Sequence, residues 1–184
     1  MSYLQKQALE FATNAHSGQS RSDGRPFIWH PIEVASMVKA HGYSSDEVVC
    51  AAYLHDTIED TEVTYEDIHK AFGRKIADIA LELTNPMGDN EGERHERNLA
   101  NAKHIRDGQL IESLIIKCAD RACNLRDISY MRTPAWFKSF TSRTKEYLIP
   151  ALDSRGAAYN CSNIYATLVH QVNFNTEIIS YLDK

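Results

Sequence analysis

The sequence predicts an all-α fold. Apolar residues recur at three- and four-residue spacing from Leu4 to Leu182, and no stretch alternates apolar and polar residues as a half-buried strand does. The segment from Leu110 to about Asp127 is apolar nearly all round, which marks a helix at the centre of a helical bundle.

Leu4, Ala8, Phe11, Ala12 and Ala15 share one face of a first helix that runs to about His16. The polar stretch 17–26, with Gly18, Gly24 and Pro26, is a surface loop that carries Arg21 and Arg25. Pro31 favours a helix start at His30, and Ile32, Val34, Ala35 and Val38 carry that helix to about His41. Ser44, Ser45, Asp46 and Glu47 cap a third helix, expected to continue through Val48 to about Asp60. Thr64, with Asp67 three residues on, has the spacing of a capping box for a fourth. Ile76, Ile79, Ala80 and Leu83 mark a fifth, which 85–92 interrupts before a charged helix from about Glu93 to Ile105. In the central helix, Ile111, Leu114, Ile115, Cys118, Ala122 and Leu125 lie on one side and Ile116, Ala119 and Cys123 on the other. Pro134 opens a helix carrying Trp136, Phe137, Phe140, Tyr147, Leu148 and Leu152, and Ser162 opens the last, at about 162–182. Trp136, Tyr147 and Tyr165 read as core anchors, and His16, His41, His69, His95 and His170 as surface or core residues.

Composition bounds the function. The chain has 184 residues, of which 43% are hydrophobic and 24% charged, so one ordinary core can form and 1–184 reads as a single domain. Twenty basic against 25 acidic residues leave a net charge of −5, which argues against a polyanion-binding surface and a nucleic-acid partner. No apolar run approaches the ~20 residues of a membrane span, and the N-terminal stretch has no signal-peptide h-region, so a cytoplasmic protein is expected. Cys50, Cys118, Cys123 and Cys161 form no CxxC pair and read as reduced and mostly buried.

The strongest chemical feature is His55-Asp56-Thr57-Ile58-Glu59-Asp60, a histidine and three carboxylates at the end of an apolar run. On a continuous helix, His55 stacks with Glu59 and Asp56 with Asp60 on adjacent ridges, so all four face one cavity. Their mutual repulsion is relieved by a divalent cation; a solvated acidic helix end is the alternative. Asp120 sits in the central helix opposite its main apolar stripe, with Asn124 one turn later on the same face. A carboxylate there needs a cation or a basic side chain as partner. His30 completes a set of two imidazoles and two carboxylates. Such a mixed set suits an octahedral Mn²⁺ or related ion better than a closed tetrahedral zinc site.

The order His30, then His55-Asp56, then Asp120 resembles the HD superfamily of metal-dependent phosphohydrolases. Tyr-Leu-His-Asp-Thr-Ile-Glu-Asp-Thr (53–61), Lys-Cys-Ala-Asp-Arg-Ala-Cys-Asn-Leu-Arg (117–126) and Arg-Pro-Phe-Ile-Trp-His-Pro (25–31) resemble the hydrolase domain of the RelA/SpoT alarmone proteins. At this length the chain is similar to the stand-alone small alarmone hydrolases, including the metazoan SpoT homologues. The likeness covers about 4–152 and leaves the last thirty or so residues without a motif.

The resemblance implies an HD-domain helical bundle that hydrolyses the 3′-pyrophosphate of (p)ppGpp with bound Mn²⁺ and releases pyrophosphate, with no room for a synthetase domain. It implies His30, His55, Asp56 and Asp120 as metal ligands, and Glu59 and Asp60 as the pair that orients and deprotonates the attacking water. Asn124 matches a nucleotide-contacting residue and Arg21 the loop arginine that packs on the base. Ser22 stands where alarmone hydrolases commonly have lysine, and 85–109 aligns only with gaps. Lys103, Arg94, Arg97 and His104 are phosphate-contact candidates there, with solvated helix charges the stronger reading. Two alternatives remain: turnover of another phosphorylated nucleotide (an adenine alarmone, the 2′-phosphate of NADPH or a nucleoside monophosphate), or a nucleotide-binding regulator without turnover.

Overall fold

A computed structural model of the chain describes residues 1–85, 91–108, 110–131, 133–156 and 162–182. Helix α1 (Tyr3–Ala15) begins where the Ser2 hydroxyl accepts the Gln5 N–H, and α2 (Trp29–Ala40) takes Pro31 in its first turn, where a missing N–H is harmless. Between them, 16–28 folds into a tight hairpin: Phe27 N–H bonds Gln19 O at 3.0 Å and Arg21 N–H bonds Arg25 O at 2.9 Å. Gly24 turns this hairpin with φ +86°, a conformation that side chains disfavour.

Helix α3 (Asp46–Leu54), capped by Ser45, ends six residues earlier than the apolar pattern predicts. The chain kinks at His55 and Asp56 and resumes as the short α4 (Thr57–Asp60). Two carbonyls at the kink are taken by side chains: His55 Nδ1 bonds Ala52 O at 2.9 Å and the Thr57 hydroxyl donates to Leu54 O at 2.7 Å. Such local bonds offer the backbone an alternative to the helical ladder, and the chain turns there.

Helix α5 (Tyr65–Phe72) starts with the expected capping box between Thr64 and Asp67. Helices α6 (Arg74–Leu83) and α7 (Glu91–Asp107) bracket the break expected between them. Helix α8 (Ile111–Met131) is the central one and touches α2, α3, α6, α7 and, later in the chain, α9 (Pro134–Arg143) and α11 (Ser162–Leu182). From α9 the path widens into a π-helical turn (Thr144–Leu148) before α10 (Ile149–Gly156). Pro150 explains it: the ring cannot donate to the Glu146 carbonyl and would collide with it in a regular helix.

Among the described residues no strand forms; Ser20 and Pro26 make one isolated bridge. The core gathers Ala8 and Ala12 of α1, Val34 and Val38 of α2, Leu54 of α3, Ile79 of α6, Leu114 and Ile116 of α8 and Leu168 of α11, all fully buried. Cys50, Cys118 and Cys123 are free and buried there; Cys161 lies outside the described residues. Tyr165 is buried as expected, but Tyr147 is exposed and not a core residue. No described helix is long and apolar enough to cross a membrane.

Candidate metal and nucleotide site

Three elements bring the histidines and carboxylates together. His30 sits on the first turn of α2, His55 and Asp56 at the α3–α4 kink, and Asp120 in mid-α8. His30 Nε2 stands 3.0 Å from Asp120 Oδ1 and 3.7 Å from Asp56 Oδ2, while His55 Nε2 stands 3.1 Å from Asp56 Oδ1 and 3.8 Å from Asp120 Oδ1. One ligand atom each from His30, His55 and Asp56 lies within 4.8 Å of the others. Asp120 reaches the same two imidazoles from α8.

The donor set fits a divalent cation. With its Nδ1 bonded to the Ala52 carbonyl, His55 turns a buried Nε2 without a hydrogen-bond partner toward the two carboxylates. That orientation fixes the tautomer a metal-binding imidazole needs. Burial opposes protonation of His55, but Asp56 and Asp120 outweigh it and hold its pKa well above the usual value. Burial likewise opposes ionisation of Asp120, yet the hydrogen-bonded His30 and His55 keep its carboxyl well below the usual range. Negative charge that draws a proton to this spot draws a cation equally.

The group opens into a cavity of about 420 Å³. Glu59 lines it from α4, and its Oε2 accepts both the backbone N–H of Asn85, at 2.8 Å, and the Asn85 side-chain amide, at 3.1 Å. Burial raises the pKa of Glu59, with Asp56 and Asp60 adding repulsion, although the Asn85 bond opposes the shift. Asp60 is exposed at the end of α4 and is not part of the cavity wall. Its carboxyl is pushed up to about 6 by loss of water and by the Asp56 charge, a push that the remaining solvent contact screens. The kink thus separates Glu59 from Asp60, which a continuous helix would have turned to one cavity.

Arg21 reaches the cavity from the hairpin. Its Nη2 lies 3.2 Å from Asp127 Oδ2 and 3.4 Å from Asn124 Oδ1, and Asn124 in turn donates to Asp120 Oδ1 at 2.6 Å. The wall holds more than the sequence reading identified. Lys117, Asp120, Arg121, Asn124 and Asp127 form one polar stripe of α8, so this helix is less evenly apolar than expected. The three- and four-residue spacing used to find apolar faces picks out that stripe equally well when applied to polar residues. Trp136 is a correction: it lines the cavity instead of the core, its ring stacked at 4.8 Å on Phe140, which packs against the core and lines the cavity as well. His16 is buried beside the site, stacked on Phe27 at 4.5 Å.

Among the described residues, Arg97, Lys103 and His104 of α7 are not part of the cavity wall. Lys103 is exposed, His104 lies 3.7 Å from Glu82, and Arg97 lies 3.8 Å from Glu93. The side chain of Arg94 falls outside what the structure describes.

Comparison with known proteins gives one consistent picture. A family profile described as "HD domain" matches residues 8–172. A Danio rerio protein named guanosine-3′,5′-bis(diphosphate) 3′-pyrophosphohydrolase MESH1 is 33% identical over 144 residues, covering 77% of this chain and 76% of that protein. The Escherichia coli bifunctional (p)ppGpp synthase/hydrolase SpoT is 34% identical over 129 residues, 69% of this chain but 18% of that protein. A solved structure described as a metazoan ortholog of SpoT that hydrolyses ppGpp superposes with a TM-score of 0.81 at 25% identity, over 94% of this chain and 96% of the other.

Proposed function

The chain belongs to the HD-domain family, and from that membership we propose that it is a metal-dependent hydrolase of the 3′-pyrophosphate of guanosine alarmones, (p)ppGpp. The observation that carries this reading is the convergence of His30, His55, Asp56 and Asp120 at one end of a cavity whose wall also presents Glu59. Mn²⁺ is the proposed ion, held by those four residues. It supplies Lewis acidity and lowers the pKa of water at the site.

The side chains then divide the work. Glu59 takes the proton of the attacking water: both Asn85 bonds fall on Oε2, which leaves Oε1 as acceptor, and a raised pKa improves the match to neutral pH. Asp60, next along the chain, keeps negative charge near that water from outside the wall. The oxygen of water bonds to the phosphorus attached to the ribose 3′ oxygen, the bond from that phosphorus to the 3′ oxygen breaks, and the departing 3′ oxygen takes up the proton that Glu59 accepted, so that pyrophosphate and a 3′-hydroxyl nucleotide are the products. Asn124 and Arg21 hold the nucleoside, Arg21 by laying its planar guanidinium on the base. Free, buried cysteines and a nucleotide substrate agree with action in the cytoplasm.

Pyrophosphate and phosphate release from ppGpp, pppGpp, ppApp, NADPH and nucleoside monophosphates, with metal-free protein and added Mn²⁺, tests the reading. Mn²⁺-dependent pyrophosphate release from ppGpp is expected. Inorganic phosphate from NADPH or a monophosphate instead moves the substrate, an outcome that Ser22 favours by withholding a cation from the loop. Tight nucleotide binding without turnover with any of them makes the protein a regulator.

A further inference from the structure

Among the described residues, two cations in the cavity wall have no carboxylate at ion-pair distance. Lys117 is 3% exposed, and its hydrogen-bond partner is a neutral amide, Asn85 Oδ1 at 3.4 Å. Arg121, one turn later on α8, stands 4.5 Å from the ring centre of Phe140, and its buried Nε has no acceptor. Among the described residues no carboxylate stands within ion-pair distance of either, whereas Arg21, Arg25 and Arg126 each reach one. The nearest carboxylates are engaged elsewhere, Asp120 on the two imidazoles and Asn124, and Glu59 on Asn85.

A desolvated cation without a counter-charge is unfavourable; Lys117 is buried, and Arg121 is half-buried with its Nε fully enclosed. Burial lowers the pKa of both groups, and Asp120 offsets it only in part. Both side chains line the cavity on the same stripe as Asp120 and Asn124, so their charges are presented to whatever enters it. A planar guanidinium and a compact ammonium side by side match a polyphosphate, whose several oxygens accept from both.

We propose that Lys117 and Arg121 form an anion seat that takes a phosphate or pyrophosphate group of the ligand without help from the metal ligands. The proposal rests on the reading of the cavity as a site for phosphorylated nucleotides. It adds a second anchoring point, on α8 and under the aromatic pair Trp136 and Phe140.

The test uses full-length protein freed of metal by chelation, with inorganic pyrophosphate as probe, read by titration calorimetry and by thermal melting. Wild-type protein binds pyrophosphate under these conditions, and Lys117→Met and Arg121→Met each weaken it by about tenfold or more. Arg121→Lys, which keeps the charge, recovers part of the loss. Without ligand, Lys117→Met melts at or above the wild-type temperature, because the methionine fills the space without an unpaired charge. A purely structural lysine gives the opposite sign. No pyrophosphate binding by metal-free wild type, or unchanged binding in both methionine variants, overturns the seat. Absence of alarmone turnover with pyrophosphate binding intact overturns the functional reading and leaves the seat standing.

Discussion

Asn85 grips Glu59 twice on one oxygen, through its backbone N–H at 2.8 Å and its side-chain amide at 3.1 Å, across 26 residues of sequence. The grip fixes the carboxylate at the cavity wall and favours its charged form against burial. Removing the side-chain bond with Asn85→Ala leaves the backbone donor in place. The acid limb of the kcat against pH profile then moves to higher pH, since the charged form loses a donor, and kcat at neutral pH falls by roughly tenfold. An unmoved acid limb would show that Glu59 is not the base.

The same geometry separates the two members of the acidic pair. Glu59→Gln should lower kcat by about 10³ with Mn²⁺ content unchanged, because it removes a proton acceptor at the wall. Asp60→Asn, at an exposed position, should lower it by about tenfold. Asp56→Ala should lose metal and turnover together. Metal analysis beside steady-state rates checks all three, and retained activity in Asp56→Ala sinks the metal assignment.

Much of this was legible in the residues. The capped helix starts at Ser45 and Thr64 follow from local chemistry, since a cap is a bond between near neighbours. The kink after Leu54 was not, because apolar spacing is silent about side chains that capture backbone carbonyls. That one omission also explains why Glu59 and Asp60 were expected on one cavity wall. The Asn85 grip and the Arg21–Asp127 pair join distant segments, and no spacing rule on a single element reports them.

The kink is itself testable. Thr57 is fully buried and its hydroxyl donates to the Leu54 carbonyl at 2.7 Å. Thr57→Val keeps the shape and removes the donor, leaving that carbonyl unsatisfied. A loss of about 1–3 kcal/mol in chemical denaturation is expected, with weakened Mn²⁺ binding because Asp56 is carried by the same turn. Unchanged stability and metal affinity would mean that packing alone sets the kink.

Lys117 supplies a pH signature in the metal-free protein. Its folded pKa is lowered, mainly by burial, from an ordinary value near 10.5, so the folded chain releases the proton first as pH rises. Between the folded and unfolded values the unfolded chain binds more protons, and stability therefore increases with pH across that window. The difference in unfolding free energy between wild type and Lys117→Met should shift in favour of wild type as pH approaches 10.5 from below. A flat difference would show that the ammonium is not penalised in the fold.

Arg21 and Asp127 form the remaining link, 3.2 Å apart with side chains only 12% and 10% exposed. Asp127 touches no metal ligand; Arg25 reaches the same carboxylate oxygen at 3.7 Å, so this one residue ties the hairpin to α8. It is a positioning residue: it orders the guanidinium over the cavity before the base arrives, sparing the ligand that entropy. Asp127→Asn should raise KM for ppGpp by roughly tenfold with kcat within about twofold, because the loss is of binding shared by ground and transition states. Asp127→Glu should restore part of it. Arg21→Met combined with Asp127→Asn should be little worse than Arg21→Met alone, since the carboxylate acts through the arginine. Additive losses in KM would separate the two residues, and a fall in kcat alone would assign Asp127 to the chemistry instead.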